Sequence, residues 1–93
     1  MPKRALLRFT FKNIDSRLLK NYFSQAIRNS EFVFGKEKVK ISFEGYQILK
    51  PTKKGLRRVF IDVGTPVGEH IATIFTGLLT KKHKRVRVER LIR

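Results

Sequence analysis

The 93-residue chain contains no cysteine, so it can form neither disulfide bonds nor thiolate metal sites. This excludes a small secreted scaffold held together by disulfides. Acidic residues are scarce, with seven Asp and Glu against 22 Lys and Arg. No apolar run approaches the ~20 residues that a membrane-spanning helix needs. The start of the chain alternates and lacks a small-residue cleavage site, which predicts a strand and not a signal peptide. We therefore expect a cytoplasmic protein with no membrane partner.

Positive charge is what the sequence has in excess, with a net charge of +15 and a pI near 11.1. Self-repulsion of this size destabilises a compact monomer, and an anionic partner relieves it. A hydrophobic content of 41% with eight Phe is sufficient for one core. We therefore expect a single basic domain over residues 1–93 and not a disordered tail. Nucleic acid is the usual partner of so basic a small domain.

Four segments alternate between apolar and polar residues with the period of two that is typical of half-buried strands. They are residues 4–12, 38–44, 57–63 and 85–92. The alternation places Phe9 and Phe11, then Val39, Ile41 and Phe43, then Val59 and Ile61, then Val86 and Val88, toward a core.

Two segments have the apolar spacing of amphipathic helices. The first follows a cap at Asp15 or Ser16 and is predicted to end near Asn29 and Ser30, with Phe32 and Phe34 filling the edge of the core before a turn at Gly35. The second begins with Thr65 as the N-cap and Pro66 at the first helical position. The turn at 64–68 matches no phosphate-binding pattern, and we interpret it as structural.

The predicted order is β-α-β-β-α-β, which favours an α+β, ferredoxin-like fold with two helices on one face of a four-stranded antiparallel sheet. The helix-free face should then display a set of mostly charged side chains: Arg8, Thr10, Lys12, Lys38, Lys40, Ser42, Arg58, Phe60, Asp62, Arg85, Arg87 and Glu89. Cations there can neutralise phosphates, and Phe60 can stack on a base.

Two further basic runs flank this face. The loop at 50–58 holds five of the Lys and Arg residues, and the run at 81–93 holds seven. The predicted nucleic-acid-binding residues are therefore Arg8, Lys12, Lys40, Lys50, Lys53, Lys54, Arg57, Arg58, Phe60, Lys81, Lys82, Lys84, Arg85 and Arg87. Two alternatives stay open. The face can be a solvated charged surface, with Lys40 blocking a sheet edge, and Phe60 can be covered by protein instead of a base.

Catalysis is not expected. The seven acids are scattered without a recognisable acid–base pair, and His70 and His83 have no cysteine beside them. We interpret His70 as a packed or surface residue on the second helix. No cofactor or metal ion is predicted.

Several segments resemble the small ferredoxin-like protein subunit of archaeal and eukaryotic ribonuclease P. They are the KRALLRFTF strand, the QAIRNS helix end with its FG turn, and KKGLRRVFIDV before a helix and a basic last strand. This resemblance implies a non-catalytic subunit that helps to fold the RNA for tRNA 5′ maturation and pairs with another protein subunit. KNIDSRLL and KPTKK also look like parts of the small-subunit ribosomal protein S-ten.

The leading hypothesis is an RNA-binding component of a ribonucleoprotein. One alternative is a sequence-independent DNA-binding protein, which could be dimeric. Another is an interaction module whose open face binds an acidic protein or a second copy of the chain.

Overall fold

The computed structural model describes residues 5–83 and 85–92. Its elements follow the order β-α-α-β-β-α-β. They are β1 (Ala5–Lys12), α1 (Ser16–Phe34), α2 (Lys36–Ser42), β2 (Tyr46–Ile48), β3 (Leu56–Asp62), α3 (Pro66–Lys82) and β4 (Val86–Ile92). None of the helices in these residues combines the length and apolar character required to cross a bilayer.

The four strands form one antiparallel sheet in the order β2-β3-β1-β4, with β1 and β3 at its centre. Phe9 lies opposite Val59 of β3 and Val88 of β4. Phe9 and Val59 are fully buried. The ring of Phe9 meets Phe75 of α3 edge-on at 5.3 Å, and Phe75 stacks on Phe23 of α1 at 4.1 Å. The core therefore lies between one sheet face and the two long helices, and the predicted ferredoxin-like arrangement is confirmed.

Helix α1 starts where the sequence predicts, because the side chain of Asp15 accepts a hydrogen bond from the backbone N–H of Arg17. The predicted end near Ser30 is wrong, since the helix continues to Phe34. Neither glycine nor proline interrupts residues 30–34, and Gly35, with φ of 90°, is the first residue that stops the helix. Phe34 packs against the core, but Phe32 is 92% exposed and does not fill it.

The strand predicted at 38–44 is wrong, because Lys36–Ser42 form the short helix α2. Val39 and Phe43 are four residues apart, which places both on one side of a helical turn, and both contact the core. Ile41, expected inward, is 80% exposed. The second strand is only Tyr46–Ile48. Lys38, Lys40 and Ser42 therefore do not lie on the open face of the sheet.

Helix α3 starts at the predicted cap: the side chain of Thr65 accepts a hydrogen bond from the N–H of Gly68 at 3.2 Å. Gly68 itself is required by close packing, because a Cβ there would collide with the carbonyl oxygen of Asp62. The turn at 64–68 thus brings the start of α3 into close contact with the backbone at the end of β3. This agrees with the interpretation of the turn as structural.

Gly68→Ala should lower the free energy of unfolding by about 1–3 kcal/mol, because the added methyl group meets rigid backbone. Gly77→Ala is the matched control: it lies in the same helix with no atom within 4 Å of its Cβ position, and it should gain roughly 0.5–1 kcal/mol. Urea denaturation followed by circular dichroism measures both. Equal stability of the two variants would contradict the packing argument.

Candidate nucleic-acid interface

The register of the sheet arranges the open face in rows that run across the strands. One row holds Asp62, Leu6 and Leu91; the next holds Gln47, Phe60, Arg8 and Glu89; the next holds Arg58, Thr10 and Arg87; the last pairs Leu56 with Lys12. The core lies on the other face, so no core residue covers these side chains. The face therefore carries acidic and apolar side chains at one end and mostly cations at the other.

At the cationic end, a groove of about 760 Å³ opens between β1, β4 and the β2–β3 hairpin. We call it the basic groove. Its lining residues are Thr10, Phe11, Lys12, Lys54, Gly55, Leu56, Arg85, Val86 and Arg87. Four of these lining residues are cations, and they come from three separate segments. None of the nine lining residues is an Asp or Glu. Arg58, exposed and directly opposite Thr10, adds a fifth cation beside it.

Lys54 is positioned by a tight turn at the tip of the hairpin. The backbone N–H of Gly55 donates to the carbonyl oxygen of Thr52 at 2.9 Å, and the Thr52 hydroxyl accepts from the N–H of Leu56 at 3.1 Å. Gly55 has φ of 78°, which favours glycine, and its carbonyl oxygen accepts from the N–H of Asn13 at 2.8 Å. The turn is thus tied to the end of β1, where Lys12 lies.

Arg57 was predicted to bind nucleic acid, but the structure places it inside the protein, with 9% of its surface exposed. Its guanidinium donates to the carbonyl oxygens of Leu49 at 2.8 Å and Ile14 at 3.2 Å, and to Oδ1 of Asn13 at 3.2 Å. These bonds connect both sides of the hairpin base to the β1–α1 turn. Arg57 therefore supports the hairpin beside the groove and does not line the groove itself.

Arg57→Lys should cost about 2–3 kcal/mol of unfolding free energy, because a single ammonium cannot reach the three acceptors of the planar guanidinium. The adjacent Arg58→Lys changes an exposed side chain and should stay within about 0.5 kcal/mol of the wild type. Thermal or urea denaturation compares the two. A neutral Arg57→Lys would show that the buried guanidinium does not brace the hairpin.

Arg8 lies at the centre of the open face, but an acid neutralises its charge. Its Nε and Nη2 atoms donate to Oε1 of Glu89 at 3.2 and 2.9 Å. The Nε of Arg87 is 3.7 Å from the same oxygen, although the Arg87 side chain is 77% exposed. Glu89 therefore marks the boundary between the basic groove and the rest of the face.

The remaining predicted residues are more dispersed. Lys50 and Lys53 are exposed on the hairpin, and Lys81 and Lys82 are exposed at the end of α3, three residues before Arg85. Lys40 is exposed on α2, away from the sheet face. Lys84 lies outside the described residues.

At the opposite end of the face lies a second hollow of about 300 Å³, which we call the Phe60 pocket. It is lined by Leu6, Glu44, Gly45, Tyr46, Gln47, Phe60 and Asp62. Phe60 is half-buried, and Asp62 is only 7% exposed. The Asp62 carboxylate accepts backbone N–H groups from Gly64 at 3.2 Å and Glu44 at 3.3 Å. The sequence analysis missed Gln47, because it placed the second strand at 38–44 and not at Tyr46–Ile48.

The titratable residues of the described chain do not form a metal centre: no group of three or more potential His, Asp or Glu ligands occurs within residues 5–83 and 85–92. His70 is half-buried between helices, where its Nδ1 and the hydroxyl of Ser30 share a hydrogen bond of 2.7 Å. Ser30 is fully buried and its hydroxyl is therefore inaccessible to a substrate. This agrees with the interpretation of His70 as a packed residue.

Comparison with known proteins identifies the fold. No protein-family model matches the chain, and no curated protein does. Among solved structures, a protein of unknown function from Nitrosomonas europaea matches 99% of this chain and 90% of its own, with a TM-score of 0.52 at 11% identity. CPII, a PII-like nitrogen regulatory protein from Thiomonas intermedia, matches 98% of this chain and 91% of its own, also with a TM-score of 0.52 at 11% identity. A dimeric ferredoxin-like protein from an uncultured marine organism matches 98% and 88%, with a TM-score of 0.51 at 12% identity.

The fold is ferredoxin-like. Identities this low show the architecture and nothing of the activity. None of these three structures is a ribonuclease P subunit or a ribosomal protein, so they add no support to either sequence resemblance.

Proposed function

We propose that the protein binds RNA through the basic groove, as a non-catalytic component of a ribonucleoprotein. The observation that carries this proposal is the convergence of Lys12, Lys54, Arg85 and Arg87 on one groove whose lining includes no carboxylate. Cations that lie close together release counterions when a phosphate backbone enters, and this release favours binding. In an unbound groove their mutual repulsion is compensated only in part, by the contact of Arg87 with Glu89.

The shape of the open face favours a single strand or an irregular region of folded RNA over duplex DNA. Readout of a DNA major groove uses a projecting helix or a two-stranded ribbon. Here the cations lie beside a sheet that also exposes part of an aromatic ring, Phe60. Aromatic side chains on such surfaces stack on unpaired bases.

A mononucleotide is a second candidate ligand. CPII has been solved bound to ADP, AMP and bicarbonate, with a TM-score of 0.50 to this chain. The basic groove, at about 760 Å³, is within the size range of small-molecule sites, which is roughly 300–1,000 Å³. Its four cations suit the phosphates of one nucleotide as well as those of a strand. Calorimetry with ADP and AMP decides between the two, because a strand contacts more phosphates and should bind far more tightly.

The RNA-binding proposal predicts a specific salt dependence. Replacement of Lys12, Lys54, Arg85 and Arg87 by Gln should weaken binding of a labelled single-stranded RNA. The slope of log K against log salt should fall by up to about 3, since each lost phosphate contact on a single strand contributes roughly 0.7. Fluorescence anisotropy at several salt concentrations measures both quantities.

The matched control replaces Lys20, Arg28, Lys36 and Lys38 by Gln, which removes the same charge from exposed positions on α1 and α2. It should leave the slope near that of the wild type. If both quadruple variants behave alike, binding reflects net charge and the groove assignment is wrong. Tighter binding of duplex DNA than of RNA at equal salt would favour a DNA-coating function. Failure to bind any nucleic acid would favour an acidic protein partner.

A further inference from the structure

We infer that the Phe60 pocket receives one base of the strand held in the basic groove and selects bases that present amino or imino hydrogen-bond donors, guanine above all and uracil least. This inference rests on the proposed RNA-binding function and adds base choice to it. It concerns residues outside the basic groove, so base selection can fail while the proposed RNA binding holds.

Phe60 supplies the stacking surface. It lies on the central strand β3, on the face that the helices do not cover, and its cross-strand neighbours are Arg8 and Gln47. Its side chain is half-buried, so the ring is fixed by its surroundings while part of it stays accessible. A base that stacks on such a ring gains affinity whatever its identity.

Hydrogen-bond acceptors beside the ring supply the selectivity. Asp62 lies two residues along β3 on the same face, which is roughly 7 Å away. Its two carboxylate oxygens accept from the N–H groups of Gly64 and Glu44, and these bonds hold the carboxylate in place. Each oxygen retains capacity for another donor. Guanine presents two adjacent donors on its Watson–Crick edge, adenine and cytosine present an amino group, and uracil presents one imino group between two acceptors.

Electrostatics orients the strand along the face. The Asp62 carboxylate lies at the pocket end, where it repels phosphates, and the nearby Glu89 cancels the charge of Arg8. The groove cations attract phosphates at the other end. Leu6 and Lys12 mark the two ends on β1 and are six residues apart, which is about 20 Å. A strand of a few nucleotides can therefore keep its phosphates over the cations while one base enters the pocket.

The test uses oligouridine heptamers that carry one central guanine, adenine, cytosine or uracil, with affinities measured by fluorescence anisotropy at fixed salt. The wild type should bind the guanine oligomer about tenfold more tightly than the uridine oligomer, with adenine and cytosine between them. Asp62→Asn should reduce this ratio toward one and leave the salt slope unchanged. Phe60→Leu should weaken all four oligomers by a similar factor.

Equal affinities of the wild type for all four oligomers, or a preference for uracil, would overturn the inference. If the groove variant still loses binding in that case, the proposed function stands without base choice. If the wild type binds none of the oligomers, both are overturned. Gln47 is exposed and also lines the pocket, where its amide oxygen can accept a hydrogen bond from the base, so Gln47→Ala should lower the ratio even where Asp62→Asn disturbs folding. An unchanged ratio in both variants would show that these acceptors do not read the base.

Discussion

The pairing of β1 with β3 is the constraint on which the rest of the structure depends. Phe9 and Val59 face each other and are fully buried under the helices. Because side chains alternate along a strand, burial of Phe9 forces Arg8 and Thr10 to the opposite face. A slip of one residue in either strand would bring Arg8 of β1 or Arg58 of β3 into the core. The hydrophobic effect at one face thus fixes the positions of the charges at the other.

Within β3, two charged residues depart from the simple alternation of apolar and polar faces, and both lie next to the candidate site. Arg57 is on the core side of β3, but it lies near the strand end, where carbonyl oxygens of the hairpin base and the β1–α1 turn are within reach. Asp62 is on the open side but is buried by the turn that its carboxylate holds through the N–H of Gly64. A buried charge is tolerated when it is hydrogen-bonded in this way. Arg57 consequently anchors the groove, and Asp62 anchors the pocket.

The sequence was sufficient to predict β1 and β3, because their apolar and polar residues alternate strictly. It was also sufficient to predict the start of α1 and the cap of α3, because a capping residue precedes each helix. It was insufficient at 36–44. Val39, Ile41 and Phe43 fit a strand, while Val39 and Phe43 alone fit a helical turn, and only contacts with α1 and the core decide between the two. The alternation places Arg57 on the same side as Val59 and Ile61, but the acceptors that let it stay buried could not be predicted, because they belong to residues 8, 43 and 44 positions away along the chain. Charge pattern alone does not distinguish a cation that binds a ligand from one that supports the fold.

The distribution of charge on the open face separates a cationic end from an end where the charges are paired or hydrogen-bonded. In the basic groove, Lys12, Lys54 and Arg85 come from different segments that the hairpin turn and the sheet bring to one groove, and an anionic ligand there would relieve their repulsion. Glu89 limits the positive potential of the open face to the groove end, because it pairs with Arg8. Beyond Glu89 the face has little net attraction for phosphate. If the chain binds RNA as proposed, long-range attraction acts at the groove end of the sheet, and stacking and hydrogen bonds at the other end depend on the base.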